Sequence, residues 1–288
     1  MFLSNKKIKR LCEYWKTKES NYFDFDSIGQ TTLCQNIYFC TITNRKEIGE
    51  KQSILFIGSI HGDEIAGVYL CREFIHHLML RTDKEEYLKG RKIYILPTLN
   101  PDGYGNHTGK RWVPIRENAN NIDLNRNFFY YKSVSSVSKD ERNEPLQPET
   151  LSMMKWSKKM NFDLVITYHT GDVGINVPFD YSEDGKANPT NKHDLFIEIA
   201  KFYVQHNKCM EKTSSFPSGV INGAEWYIAE HTMPDWRFLA TNVPELTIEL
   251  TCKMHPTREE LQRIWLDNKD AMTNITKKLS IFANKWKK

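Results

Sequence analysis

His61 and Glu64 stand three residues apart at the end of an apolar run, Ile54-Leu-Phe-Ile-Gly-Ser-Ile-His61-Gly-Asp-Glu64. One imidazole and one carboxylate held together make half of a catalytic zinc site, which takes three protein ligands and keeps one position open. The spacing alone carries little weight, because 9 histidines and 36 acidic residues supply such pairs by chance. A motif counts only in its structural context. That context recurs in Asp163-Leu-Val-Ile-Thr-Tyr-His169, a second apolar run that ends in a histidine. Two strand ends with a histidine each, one followed by a glutamate, give the two-histidine, one-glutamate set of a hydrolytic zinc site. A third run, Glu245-Leu-Thr-Ile-Glu249-Leu250, carries Glu249 between two aliphatic neighbours. An unpaired carboxylate in an apolar strand is costly. Glu245 follows Pro244 and reads as a solvated strand end.

Such residues need rigid supports. Strand-like runs occur at 37–42, 54–60, 93–99, 164–168 and 246–250, and helical periodicity at 65–80, 148–160, 192–206 and 257–286. Strands alternating with helices predict an α/β domain around a mixed, mostly parallel twisted sheet flanked by helices. The turn after residue 60 lies at a strand's carboxyl end, where open α/β sheets place their ligands. Residues 1–35 read as a lead-in to a single domain over 1–288. Thr257 can cap the last helix, with Glu259 and Glu260 suiting its positive end. Long polar loops at 100–121, 129–144 and 171–191 are of the length that usually serves function.

At 288 residues the chain can bury a sizeable core. Hydrophobic content of 40% and charged content of 26% are those of a folded globular protein. A net charge of +4 with short basic runs at both ends gives no nucleic-acid footprint. No apolar stretch reaches the roughly 20 residues needed to span a bilayer. The first residues lack the long apolar region of a secretory signal, which favours a cytoplasmic setting while a secreted one stays open. Six scattered cysteines without a CxxC pair argue against a cysteine zinc site, and Cys40 and Cys71 read as buried thiols. Oligomeric state is not legible.

Four further segments complete a pattern: Pro97-Thr-Leu-Asn-Pro-Asp-Gly103, Arg116-Glu-Asn-Ala-Asn-Asn-Ile-Asp123-Leu-Asn125-Arg126-Asn-Phe128, Asn222-Gly-Ala-Glu-Trp-Tyr227, and the Glu249 strand. With His61, Glu64 and His169, in this order, they resemble the zinc metallocarboxypeptidases. Gln147-Pro-Glu-Thr, Pro178-Phe-Asp180, Asn-Gly-Ala-x-Trp-Tyr and Trp265-Leu-Asp-Asn-Lys look most like the carboxypeptidase N/E branch. The resemblance implies one zinc per chain, held by His61, Glu64 and His169. It implies Glu249 as general base and acid, Arg116 beside the scissile carbonyl, and Asn125, Arg126 and Tyr227 on the substrate's terminal carboxylate. Asp123 corresponds to the carboxylate behind a zinc histidine, with a turn cap as its plain alternative. Chemistry agrees: an arginine meets a carboxylate through two parallel hydrogen bonds, and a base next to a zinc can take a proton from water and return it to the leaving amine.

Asp180, eleven residues after His169, corresponds to the residue facing the substrate's last side chain. A carboxylate there favours Lys or Arg. The chain departs from the branch in three ways. His231-Thr-Met-Pro234-Asp235 replaces the usual Gly-Gly-Met-Gln-Asp, so Pro234 stands where a glutamine helps bind a basic side chain. Thr170-Gly-Asp172-Val replaces Gly-Gly-Ala-Leu and adds Asp172 near the cleft. No β-sandwich domain or pro-segment is visible, so activity without activation cleavage is the expectation. The reading is a carboxypeptidase that removes one C-terminal Lys or Arg from peptides or proteins by attack of zinc-activated water. Its rivals are a carboxypeptidase of other specificity, a zinc amidohydrolase acting on N-acyl amino acids, and a non-catalytic binding module on the same fold.

Overall fold

The apolar runs that end in the chemistry-bearing residues become the middle strands of one sheet. A computed structural model describes residues 4–105, 107–108, 111–129 and 145–288. Positions 106, 109–110 and 130–144, within two of the long loops noted above, lie outside the described residues. The chain opens with α1 (Asn5–Lys18), β1 (Phe23–Gln30), β2 (Asn36–Ile42), β3 (Gln52–Ile57) and α2 (Ile65–Met79). Next come α3 (Lys84–Leu88), β4 (Arg91–Leu96), α4 (Pro101–Tyr104), β5 (His107–Thr108), β6 (Arg111–Trp112) and α5 (Pro148–Lys159). Then follow β7 (Leu164–His169), β8 (Val173–Val177), α6 (His193–Gln205), α7 (Met210–Thr213) and β9 (Val220–Asn222). The chain closes with α8 (Gly223–Trp226), α9 (Met233–Thr241), β10 (Glu245–Leu250) and α10 (Arg258–Trp286).

Among the described residues, eight strands form one sheet in the order β1-β2-β4-β3-β7-β10-β8-β9. Its centre, β4-β3-β7-β10, is parallel. The β1-β2, β2-β4 and β10-β8 pairs are antiparallel, and β8-β9 is parallel. All six positions of β7 and of β10 are buried, as expected of parallel strands covered on both faces. One face packs on α1, α2, α6 and α10 through Ile8, Phe74, Phe196 and Ile275. The other carries α5 and α9 through Trp156 and Trp236. The result is the three-layer α/β architecture read from the sequence.

Two details differ from that reading. The runs 54–60 and 93–99 stop as strands at Ile57 and Leu96; beyond them Gly58 N donates to Leu96 O and Leu99 N to Ser59 O outside the ladder. Residues 1–35 are more than a lead-in, since α1 buries Ile8, Cys12 and Trp15 and β1 forms the sheet edge. Polar alternation on that edge hid β1 from a search for apolar runs. At the other end Thr257 and Glu260 cap α10 reciprocally, side chain to backbone both ways.

Candidate active site

Two glycines shape the turn that carries His61 and Glu64. A side chain on Gly67, in α2, would put its Cβ 1.6 Å from Gly58 O, so only glycine lets the helix cross the end of β3. A Cβ on Gly62 would lie 2.3 Å from both Gly103 C and Ile115 O. That closeness brings the 115–116 segment onto the turn, where Gly62 N donates to Arg116 O at 3.1 Å. Asn100 holds the same segment, its Nδ2 donating to the carbonyls of Arg116 and Glu117. The Ser59 hydroxyl ties down the His61 carbonyl.

Around this turn His61, Glu64 and His169 converge, all buried, with one ligand atom from each within 4.8 Å of the others. Glu64 bridges the two rings, Oε1 lying 2.6 Å from His61 Nδ1 and Oε2 2.9 Å from His169 Nδ1. Thr170 N also donates to Oε2 at 3.2 Å. Burial would raise the Glu64 carboxyl, but the two histidines hold it far below its usual range. Burial would likewise lower His61, yet Glu64 and Asp123 raise it to about 9. The three donors are therefore a matched set of charge that a divalent cation would occupy with release of a proton.

Asp123 does both things the sequence allowed. Its Oδ1 caps the short 3₁₀ turn Leu124–Arg126 by accepting Asn125 N, and lies 3.1 Å from His61 Nε2. That contact fixes which ring nitrogen faces Glu64. Its Oδ2 takes Arg116 Nε at 3.0 Å and Nη2 at 2.9 Å. The third guanidinium nitrogen, Nη1, then points at Glu64 Oε1, 3.3 Å away.

Glu249 joins the centre through strand register. In the parallel β7-β10 pairing it stands opposite His169, and across β8 it faces Gly174. Its side chain is buried and Oε2 has no hydrogen-bond partner. Burial, and then the charge of Glu64, push its carboxyl well above the usual range. Glu245 corrects the reading of a solvated end. It is fully buried and paired with Arg237 of α9, while Thr167 donates to its other oxygen at 2.5 Å. Leu246 and Ile248 follow it on one side of the strand and Thr247 on the other, so nothing local revealed an arginine arriving from a helix.

Beyond the centre, Asn125, Arg126, Tyr227 and Asp180 share one wall. Asn125 Oδ1 accepts Met233 N at 2.9 Å, leaving its Nδ2 hydrogens for a ligand. The Arg126 guanidinium lies 5.9 Å from the Tyr227 ring centroid. Tyr227 is 45% exposed and is not a core aromatic. Asp180 is buried, accepts Asn176 Nδ2 at 3.0 Å, and carries a carboxyl raised by burial despite Arg126 and His169 nearby. Two neighbours escaped the sequence reading. Asp235 accepts the Asp180 backbone N–H with both oxygens, at 2.9 and 3.0 Å. Asn176, buried inside β8, keeps an Oδ1 without a hydrogen-bond partner beside Asp180. A polar residue between Ile175 and Val177 in a covered strand was the signal available. Elsewhere, a groove of about 770 Å³ by the starts of β3 and β4 brings together Asp24, Lys51 and Lys92, but Asp24 there is neutralised by Lys16 and Arg45.

The sequence profile of the zinc carboxypeptidases matches residues 8–271. The chain belongs to this family. It is 34% identical over 275 residues to carboxypeptidase D of Anas platyrhynchos, covering 88% of this chain and 19% of that protein. With the carboxypeptidase N catalytic chain of Mus musculus it shares 32% over 290 residues, covering 85% of this chain and 62% of that one. It thus spans only part of the length of either relative. Among solved structures, bovine thrombin-activatable fibrinolysis inhibitor in complex with tick carboxypeptidase inhibitor overlays with a TM-score of 0.80 at 19% identity, over 97% of this chain and 98% of that one. Carboxypeptidase A from Helicoverpa armigera gives 0.76 at 17%, over 99% and 74%. At those identities the overlays establish the fold. The family uses one catalytic zinc, and the buried histidine–glutamate–histidine cluster has the donors and spacing to hold it.

Proposed function

We propose that the protein is a zinc-dependent carboxypeptidase that removes a single C-terminal residue, Lys or Arg, from peptides or proteins. The observation that carries this reading is the meeting, at the carboxyl edge of one sheet, of a zinc-type cluster with an orphaned buried carboxylate, Glu249, and a wall of Arg126, Asn125 and Asp180. A zinc held by His61, Glu64 and His169 supplies a Lewis acid that acidifies water and polarises a carbonyl. Glu249 takes the proton of the attacking water and returns it to the leaving amine, a task suited to a carboxyl whose affinity for protons is raised. Arg116, whose Nε and Nη2 are both held by Asp123 Oδ2, faces the carbonyl oxygen as charge develops there. Arg126 and the Asn125 amide grip the terminal carboxylate, and Tyr227 closes over it.

Asp180 receives the cationic side chain. Pro234 offers no side-chain acceptor, and the orphaned Oδ1 of Asn176 supplies one next to Asp180. A buried cation with two acceptors is favoured over an apolar side chain that would leave both unpaired. The test is hydrolysis of matched peptides ending in Arg, Lys, Leu, Phe and Glu, repeated with Asp180→Asn. Selective release of Arg and Lys is expected, with kcat/KM for these falling at least about 30-fold in the variant, since losing one partner of a buried charge pair costs 2 kcal/mol or more. Equal release of Leu or Phe would retain the peptidase and sink the basic pocket. No release from any peptide would favour N-acyl amino acids as substrate, or a binding role.

A further inference from the structure

Asp172 is a carboxylate at the mouth of the site to which the reading above gives no task. It sits between His169, the end of β7, and Val173, the start of β8, in a segment that crosses directly over the end of β10. Gly171 N donates to Thr251 O, and Gly174 stands opposite Glu249. The segment is therefore pinned to β10 on both sides of Asp172. The side chain is fixed as well: Oδ1 accepts Val173 N and the Ser215 hydroxyl, both at 2.7 Å. Among the described residues Asp172 makes no ion pair and Oδ2 has no partner. A carboxylate held in one orientation, half-buried and without an ion-pair partner, is suited to attract a cationic group that passes it.

Its place along β8 says what that charge meets. The strand runs from Asp172 at the mouth, past Glu249, to Asn176 and on to Asp180. From Glu249, Asp172 and Asp180 therefore lie in opposite directions, with Asn176, about 10 Å inward from Val173 at strand rise, on the Asp180 side. A substrate whose last side chain lies on Asp180 and whose scissile carbonyl lies at Glu249 would extend toward Asp172.

We propose that Asp172 is a specificity-determining residue that selects a cationic side chain on the residue preceding the scissile bond, making a C-terminus of two consecutive cationic residues the preferred substrate. This rests on the carboxypeptidase reading. Peptides that share a C-terminal Lys and carry Lys, Ala or Glu at the penultimate position test it. The wild-type protein should favour Lys over Glu there by about fivefold or more in kcat/KM, the scale of one half-exposed ion pair gained against one repulsion. Raising ionic strength roughly tenfold should shrink the ratio, because an exposed pair is screened. In Asp172→Asn the ratio should fall toward one, whatever happens to the overall rate. A flat penultimate profile in the wild type, a ratio unmoved by salt, or one unchanged in Asp172→Asn would overturn the assignment while release of C-terminal Lys continued. Failure to release Lys from every peptide would overturn it together with the function it rests on.

Discussion

Glu249 sits in a strand between Ile248 and Leu250, opposite a zinc-type histidine, with one oxygen that nothing on the protein satisfies. In Glu249→Gln the shape of the site is kept and the proposed proton carrier is lost. Turnover of a C-terminal Lys peptide should fall by roughly 10²–10⁴-fold, the usual contribution of general acid–base catalysis, with zinc content by metal analysis unchanged. A parallel loss of zinc would instead mean that the carboxylate belongs to the metal's own shell. The candidate residues were readable because their types are rare in apolar runs: a histidine ending a strand or a glutamate inside one needs a partner, a metal or a task, as Glu249 and Glu245 each show in a different way. Asp235 and Asn176 were not, because they act from beneath, through Asp180: Asp235 accepts its backbone N–H from 55 residues away, and Asn176 donates to its carboxylate from the preceding strand, and neither contact leaves a period to detect. The double task of Asp123 was half legible; its hold on Arg116 appears only once the Gly62 turn brings both segments together.

The element that ties the site to the core is β10. It carries Glu249 near one end and, at the other, Glu245 in a fully buried pair with Arg237, whose guanidinium also donates to Ser157 Oγ at 2.7 Å. Removing one partner of such a pair leaves an uncompensated buried charge. Arg237→Met should therefore lower stability by about 3–5 kcal/mol in denaturant unfolding, and adding Glu245→Gln should restore most of it. If the double variant were as unstable as the single one, packing rather than charge would govern this contact. The sheet's centre was legible in outline because parallel strands covered on both faces read as continuous apolar runs. The edge was not: β1 reads Phe-Asp-Phe-Asp-Ser, half solvated, and β8 and β9 are short and interrupted by glycine and asparagine. Helix α9 was hidden by the proline at its first turn, which marks a loop as readily as a helix start.

Across the whole molecule, the candidate ligands hang from the end of β7 and from the turn that follows its neighbour β3, so the centre is assembled by the same packing that folds the chain. Chelation should abolish peptide hydrolysis while leaving the far-ultraviolet circular dichroism unchanged, and zinc should return activity without a refolding step. The melting temperature should rise with added zinc as expected for a ligand that binds only the native state. Loss of secondary structure on chelation would show that metal and fold form together. The two glutamates of β10 then have opposite fates. Glu249 has a raised pKa in the fold, so its charge opposes folding above its unfolded value, and that opposition fades as pH falls into the ordinary carboxylate range. In zinc-free protein at neutral pH, Glu249→Gln should therefore gain about 1–3 kcal/mol of stability. A lineage released from selection for catalysis would drift easily at position 249, growing hardier as it fell silent. At position 245, four residues earlier on the same strand, drift would be blocked in both the working and the silent protein.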